Sequence, residues 1–363
     1  MLAALDACRF VYNWGIEDRK NLWGYCHTST DFYGQMGYLK HLKCEHLFLK
    51  DVHAHLLQSA LRRVDRSFQA FFRRVKAGET PGYPRFKGRD WYDSFTFPEW
   101  GNGCAFDGKR LFLSKIGRVR IVLHRSIVGT IKTCTVKRQA DGWFVVFSVI
   151  VADSVPSTFQ NPAGIDVGLK TFAALSTGEK IENPRHLRMA EQGLKIAQRK
   201  VSKRKKGSQR RRRAVQHLQL EHQRVQRSRK SFQFMQASRL VKKFNPIFVE
   251  DLNIRGMVKN HAFAKSISDA SWGQFRSILS HSAESAGVAV IAVKAHGTSQ
   301  VCVCGNAVPK NLSIRVHRCS SCGLVEDRDV VSAKVILKRG LGMAFGEDAG
   351  SKRHSTTREA AGL

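Results

Sequence analysis

Ala163-Gly164-Ile165-Asp166-Val167-Gly168 is the stretch that decides the fold of the second half of this 363-residue chain. Its apolar residues predict a buried strand, and residues 172–175 predict the hairpin partner of that strand. A carboxylate within a buried strand is costly unless a cation pairs with it. Asp166 is therefore a candidate functional residue.

Two further carboxylates follow the same pattern. Glu250 ends the predicted strand 246–250, and Asp329 precedes the helical pattern 331–337. Taken singly, Asp166 could be a turn or cap residue and Asp329 an N-cap. Taken together, two carboxylates on predicted strands are followed by one at a predicted helix start. If these elements converge, the three carboxylates predict a site for Mg²⁺ or Mn²⁺. Two such ions about 4 Å apart can activate water and stabilise the leaving oxygen in phosphodiester cleavage.

Four cysteines form a second cluster. Cys302 and Cys304 form a CxC pair and Cys319 and Cys322 a CxxC pair, and each pair is followed by glycine. Four thiolates suit tetrahedral Zn²⁺. The CxC pair is one residue short, so both sulfurs reach one ion only if the chain turns tightly there. The alternative is a set of reduced, metal-free cysteines. His317 could replace one ligand, but we expect it to be a surface residue.

The composition indicates a polyanionic partner. Lys and Arg number 61 against 29 Asp and Glu, a net charge of +32, and 42% hydrophobic residues exclude wholesale disorder. The basic runs 203–206 and 210–213 lie in a segment, 186–243, that we expect to be too charged for the core. A membrane partner is disfavoured, because the longest apolar run, 143–152, is shorter than the roughly 20 residues that span a bilayer. Nine cysteines without a disulfide-like framework indicate a reducing compartment, so we expect a cytoplasmic protein.

The rest of the chain divides by pattern. Residues 2–77 have apolar side chains at spacings of three and four, with basic residues between them, which predicts amphipathic helices. The segment 78–84 cannot continue a helix, and short strands with a hairpin turn at 141–142 then predict a small antiparallel barrel or sheet. The tail after Gly340 is predicted to be disordered.

The chain resembles the TnpB family, RNA-guided nucleases encoded by insertion sequences, often labelled transposases and related to the compact type V CRISPR effectors. The resemblance covers residues from about Cys8 to Ile336, with the motifs in the family's order. The matching motifs are Arg9-Phe10-Val11-Tyr12-Asn13, Gly82-Tyr83-Pro84-Arg85-Phe86-Lys87, Gly164-Ile165-Asp166-Val167-Gly168-Leu169-Lys170, Val249-Glu250-Asp251-Leu252-Asn253, Ser266-Ile267-Ser268-Asp269-Ala270-Ser271-Trp272, Thr298-Ser299-Gln300 with the cysteines, and Asp327-Arg328-Asp329.

The resemblance implies a multidomain α+β fold. Its parts would be a helical recognition lobe (1–80), a small antiparallel β (wedge) domain (81–160), a RuvC-like RNase H-fold nuclease domain in two parts (161–297 and 326–340), a zinc-ribbon insertion (298–325) that binds target nucleic acid, and a disordered tail (341–363).

The resemblance also implies the site and its partners. Asp166, Glu250 and Asp329 would be the catalytic carboxylates and hold Mg²⁺ or Mn²⁺, and the four clustered cysteines would hold Zn²⁺. The partners would be a guide RNA and target double-stranded DNA with a short flanking motif, with no membrane, and the protein would be a monomer with its RNA. In such proteins base pairing reads the target sequence, while the protein reads the flanking motif.

Three departures from the family pattern leave alternatives open. The strand that precedes the first recognition helix is missing, the first cysteine pair is short, and Val331 and Val335 stand where the family has Asn. An alternative function is therefore a nuclease-weakened, RNA-guided DNA-binding repressor. Another is a basic zinc-ribbon accessory protein of transposition, which leaves the three carboxylates unaccounted for.

Overall fold

The computed structural model describes residues 1–152, 158–311 and 313–345. The chain divides into two compact units, Met1–Ala152 and Asp153–Leu363. Among the described residues, no helix combines the length and the apolar character that crossing a bilayer requires.

The first unit packs helices against short strands. Its elements are α1 (Leu2–Cys26), α2 (Phe32–Glu45), α3 (Ala54–Lys76), β1 (Ser94–Phe97), β2 (Cys104–Phe106), β3 (Arg110–Leu113), β4 (Gly117–Arg120), β5 (Thr130–Gln139) and β6 (Gly142–Ile150). The strands form two antiparallel sheets, ordered β1-β5-β6 and β2-β3-β4. The expected antiparallel β structure is confirmed, and only β2 is too short for the sequence pattern to predict.

The amphipathic pattern of α3 is confirmed over most of its length. Leu57 and Leu61 are fully buried, but the apolar stripe ends at Phe68, because Phe72 is 60% exposed. These helix residues share one hydrophobic core with strand residues such as Phe95. The helices and strands of residues 1–152 therefore stabilise one another by common burial.

The second unit is built around a mixed sheet. Its elements are β7 (Ala163–Val167), β8 (Thr171–Leu175), β9 (Lys180–Glu182), α4 (His186–Ser202), α5 (Gln209–Lys243), β10 (Ile247–Asp251), α6 (Ile254–Met257), α7 (His261–Ala270), α8 (Trp272–Glu284), β11 (Val290–Lys294), β12 (Val316–Arg318), β13 (Val325–Asp327) and α9 (Arg328–Phe345). The order in the large sheet is β11-β10-β7-β8-β9. β10 runs parallel to β7 and β11, whereas β8 and β9 are antiparallel to their neighbours.

Helices α4 and α5 pack against each other, and one face of this pair belongs to the core. Ala197, Ala237 and Leu240 are buried, so the expectation that the segment 186–243 is too charged for the core is wrong for that face. The side-chain amide of buried Gln233 donates to the carbonyl oxygen of Ala270 at 3.1 Å. The charged residues occupy the opposite, exposed face, which is the usual arrangement of an amphipathic helix.

Helix α9 lies against β7 with almost no space between the two backbones. A Cβ added to Gly164 would lie 2.1 Å from the carbonyl oxygen of Ala333, so only glycine permits this approach. The helix continues to Phe345, past Gly340, where disorder was expected to begin. Residues 346–363 of the predicted tail lie outside the described part of the chain.

Candidate active site and cysteine cluster

Asp166 and Glu250 lie on neighbouring strands. β7 and β10 pair in parallel, with Val249 opposite Ile165. The next residue on each strand is a carboxylate, so Glu250 and Asp166 lie side by side near the carboxyl ends of the strands. Both residues are half-buried. Asp166 also pairs with Ala174 of β8, which makes it a strand residue rather than a turn or cap residue.

Asp329 lies in the first turn of α9 but does not cap the helix. Oδ1 of Asp327 accepts hydrogen bonds from the backbone N–H groups of Asp329, at 3.0 Å, and Val330, at 3.4 Å. Asp327 is therefore the capping residue. Asp329 lies one helical turn before Ala333, the residue that contacts β7 at Gly164. The packing of α9 on β7 thus brings the third carboxylate to the first two.

The three carboxylates are close enough to repel one another. Burial raises the pKa of Asp166 well above its ordinary value of 3.8, and the charges of Glu250 and Asp329 raise it further. Burial also raises the pKa of Glu250, against the opposing effects of a hydrogen bond from Thr298 and the charge of Arg339. A bound cation relieves both the desolvation and the repulsion, so this donor set fits a divalent metal ion.

Arginine side chains flank Asp329. Nη2 of Arg328 lies 3.3 Å and Nη1 of Arg315 lies 3.8 Å from Oδ1 of Asp329. Arg328 also donates to the carbonyl oxygens of Asn311 and Ile314, at 3.4 and 3.2 Å. The sequence singled out neither arginine as a site residue. The only sequence signal for Arg328 is its place between two aspartates of a family motif.

The four clustered cysteines come together as predicted. Their sulfur atoms lie within 4.8 Å of one another. Sγ of Cys302 is 3.6 Å from Sγ of Cys322, and Sγ of Cys304 is 3.7 Å from Sγ of Cys319. Four thiolates around Zn²⁺, with Zn–S bonds of about 2.3 Å, would be separated by roughly 3.8 Å. The cluster therefore fits zinc.

A tight turn compensates for the missing residue of the CxC pair. The N–H of Gly305 donates to the carbonyl of Cys302 at 2.9 Å, and Gly305 has φ +100°. In a straight strand, residues two apart point to the same side but are separated by roughly 6.8 Å along the chain. The turn shortens this separation and brings the sulfurs of Cys302 and Cys304 within 4.8 Å. At the second pair, backbone N–H groups of Cys322 and Ser321 lower the pKa of the Cys319 thiol to about 6. A thiolate at neutral pH is a ready metal ligand.

His317 is not part of this cluster. It is fully buried on β12, opposite Glu326 of β13, so the expectation of a surface residue is wrong. Its Nδ1 contacts Nζ of Lys310. Burial lowers the pKa of His317, and the positive charge of Lys310 acts in the same direction. The ring is a core residue of the hairpin.

The carboxylates and the cysteines differ in spacing. Among the residues that the structure describes, the cysteines are the one set of at least three His, Cys, Asp or Glu side chains close enough to share an ion. The carboxylates of Asp166, Glu250 and Asp329 interact but are spread more widely. Val331 and Val335, where the family has Asn, are buried core residues with 1% and 4% exposure.

The comparisons with known proteins agree with this architecture. Cas12f1, solved in complex with sgRNA and target DNA, has the same mixed α/β fold: the TM-score is 0.60, the sequence identity is 13%, and the match covers 92% of this chain and 81% of that one. Residues 147–261 match the family OrfB_IS605, described as "Probable transposase", and residues 272–336 match the "Cas12f1-like, TNB domain".

Full-length relatives identify the family. A Streptomyces pristinaespiralis protein named "Putative RNA-guided DNA endonuclease" is 33% identical over 96% of this chain and 87% of its own length. An Escherichia coli K12 protein named "Putative RNA-guided DNA endonuclease InsQ" is 30% identical over 92% of this chain and 87% of its own length. The "TnpB-like protein L79" of Acanthamoeba polyphaga mimivirus is 26% identical over 50% of this chain and 38% of its own length. The chain belongs to the TnpB family of insertion sequences.

Proposed function

We propose that this chain is an RNA-guided DNA endonuclease whose cleavage site consists of Asp166, Glu250 and Asp329. The observation that carries the proposal is the convergence of three half-buried carboxylates, from β7, β10 and α9, in a chain of net charge +32. A basic protein gains nothing structural from such a cluster, since each buried carboxylate without a cation costs stability. The names and identities of the relatives support the same activity.

The residues fit divalent cations of the Mg²⁺ or Mn²⁺ type. Carboxylate oxygens are the hard donors these ions prefer. When bound, such ions activate water and stabilise the leaving oxygen of a phosphodiester. Asp166 and Glu250 would hold the ions from adjacent strands, and Asp329 would complete the site from the helix. The three carboxylates are spaced more widely than ligands that all bind one ion, and this spacing suits a site that holds two ions. Zn²⁺ would be held by Cys302, Cys304, Cys319 and Cys322 in a purely structural role.

The basic surface supports guide RNA and target double-stranded DNA as partners. Lys203, Lys206, Arg212 and Arg213 are exposed around the connection between α4 and α5. Phosphate neutralisation by such residues supplies affinity without reading sequence, which suits a protein whose target is read by base pairing and a short flanking motif. On the basis of the family resemblance we assign a helical recognition lobe to residues 1–80, a wedge domain to 81–160, the RuvC-like domain to 161–297 and 326–340, and the zinc ribbon to 298–325, in a protein that is monomeric with its RNA.

Cleavage of a guide-matched plasmid tests the proposal. RNA that copurifies with the protein is sequenced to define the guide, and a plasmid library carries the matched target beside a randomised flank. The variant Asp166→Asn should cut at least about a thousandfold more slowly at millimolar Mg²⁺ while retaining DNA binding in a mobility-shift assay. Asp251→Asn is the matched control, because Asp251 is an exposed neighbour of Glu250 paired with Arg276 at 2.6 Å, and it should cut normally.

Three results would contradict the proposal. Wild-type binding to the matched plasmid without nicking would favour the guided repressor instead. Copurified RNA of random sequence would favour the accessory protein. Cutting by Asp166→Asn at the wild-type rate would remove Asp166 from the site.

A further inference from the structure

Thr298 connects the segment that leads into the cysteine cluster with the carboxylate of Glu250. It begins a short 3₁₀ turn, Thr298–Gln300, that follows β11, and its side chain is buried at 4% exposure. Its hydroxyl Oγ1 donates a hydrogen bond to Oε1 of Glu250 and lies 3.1 Å from the carbonyl oxygen of Ala295. A hydroxyl has one proton, and the charged carboxylate is the stronger acceptor.

The backbone around Thr298 is held in place independently of this hydrogen bond. Nη1 of Arg339, on α9, donates to the carbonyl oxygens of Lys294 at 3.1 Å and His296 at 2.8 Å. Gly297 adopts φ +75°, a left-handed conformation that starts the turn and favours glycine. The hydroxyl therefore approaches Glu250 from a fixed backbone, as a residue that orients a ligand must.

We propose that Thr298 is a positioning residue that orients Glu250 for metal binding, so that the cysteine-cluster segment sets the geometry of the cleavage site. The inference rests on the proposed function. A glutamate side chain has three rotatable bonds, and it loses conformational freedom when it binds an ion. The hydrogen bond from Thr298 orders the Glu250 side chain beforehand, so most of that loss does not occur during ion binding.

Three variants separate positioning from structure. Thr298→Val keeps the shape and removes the hydroxyl, Thr298→Ser keeps the hydroxyl, and Ser299→Ala alters the next residue, whose side chain makes no hydrogen bond within the described residues. Each is purified as the full-length complex with its guide RNA. The readouts are Mn²⁺ binding followed by electron paramagnetic resonance, cleavage rate against Mg²⁺ concentration, and zinc content.

We expect Thr298→Val to weaken Mn²⁺ binding and cleavage by about 10- to 100-fold with unchanged zinc content, the usual effect of losing a residue that orients a metal ligand. Thr298→Ser and Ser299→Ala should remain within about threefold of the wild type. Wild-type Mn²⁺ binding and cutting by Thr298→Val would overturn this inference alone, as would equal loss in Thr298→Val and Thr298→Ser with reduced zinc. A wild-type complex that never cuts matched DNA would overturn the proposed function, and this inference with it.

Discussion

The cysteine cluster and the carboxylate site lie in the same unit but are assembled in opposite ways. The cysteines come from two tight turns, and the turn at Cys302–Gly305 is closed by its own backbone hydrogen bond of 2.9 Å. The carboxylates come from β7, β10 and α9, which only tertiary packing brings together. Short turns can place thiolates within a single ion's reach, whereas the packed sheet and helix leave the carboxylates more widely spaced. A structural ion tolerates no open position, and a catalytic site requires one.

The largest expected effect is the loss of zinc when one cysteine of the cluster is replaced. Cys319→Ser removes the thiol whose pKa backbone N–H groups lower to about 6, and with it one of four ligands. We expect zinc content to fall from about one ion per chain to about a tenth or less, because three ligands no longer close a structural site. Elemental analysis of the purified protein measures this. Cys44→Ser, at an exposed cysteine outside the cluster, should leave zinc unchanged, and equal loss in both variants would contradict the assignment.

A substitution that forces the backbones of α9 and β7 apart should disrupt the carboxylate site and leave the cysteine cluster intact. Gly164→Ala places a Cβ 2.1 Å from the carbonyl oxygen of Ala333, so α9 must move away from β7. We expect a loss of about 2–3 kcal/mol in unfolding free energy with zinc retained. Gly193→Ala, in α4, meets nothing within 4 Å and should gain about 0.5–1 kcal/mol. Urea titration measures both, and a stable Gly164→Ala variant would show that α9 does not depend on this contact.

Because burying the charge of Asp166 at the carboxylate site is unfavourable, the stability of the folded protein should depend on pH. The pKa of Asp166 is raised in the folded protein, so its favourable contribution is complete below the ordinary value of 3.8 and is lost as pH rises through the folded-state pKa. In magnesium-free buffer Asp166→Asn should therefore be more stable than the wild type, by on the order of 1 kcal/mol at about pH 8 and by less at about pH 5. Added Mg²⁺ should raise only the wild-type melting temperature. A pH-independent difference between the two proteins would contradict this explanation.

The smallest effect is expected where a carboxylate lies near the site but in solvent. Asp251 follows Glu250, is exposed, and pairs with Arg276 at 2.6 Å. Because solvent screens exposed ion pairs, Asp251→Asn should change unfolding free energy by less than about 0.5 kcal/mol. Thermal unfolding tests this, and a change as large as that of Gly164→Ala would mean that Asp251 belongs to the packed site.

The features that sequence reasoning predicted depend on local signals. The apolar run of β6 with the hairpin turn that precedes it, the apolar run of β7 and the amphipathic stripe of α3 each predict an element without knowledge of the rest of the chain. The three-residue strands β2 and β9 carry too few residues for a periodic signal. The burial of Ala197 and Ala237 was missed because the surrounding charges dominate the composition of those helices.

The candidate ligands stand out in the sequence, whereas the residues that contact them do not. An acidic residue in an apolar strand and paired cysteines stand out in any chain, so the expected ligands could be named. Thr298 and Arg328 are ordinary residue types. Thr298 contacts Glu250, which is distant in sequence, and Arg328 contacts both the adjacent Asp329 and the carbonyl oxygens of Asn311 and Ile314. His317 was misjudged for the same reason, because only the hairpin of β12 and β13 reveals that its ring is enclosed.

The order of the elements along the chain has a consequence during synthesis. Asp166 and Glu250 lie on β7 and β10, whereas Asp329 arrives with α9, the last helix of the described residues. Domains fold as units while the polypeptide emerges from the ribosome. A nascent chain therefore carries an incomplete acidic set until α9 is translated, and it acquires its third carboxylate only after the basic helices α4 and α5 have been made.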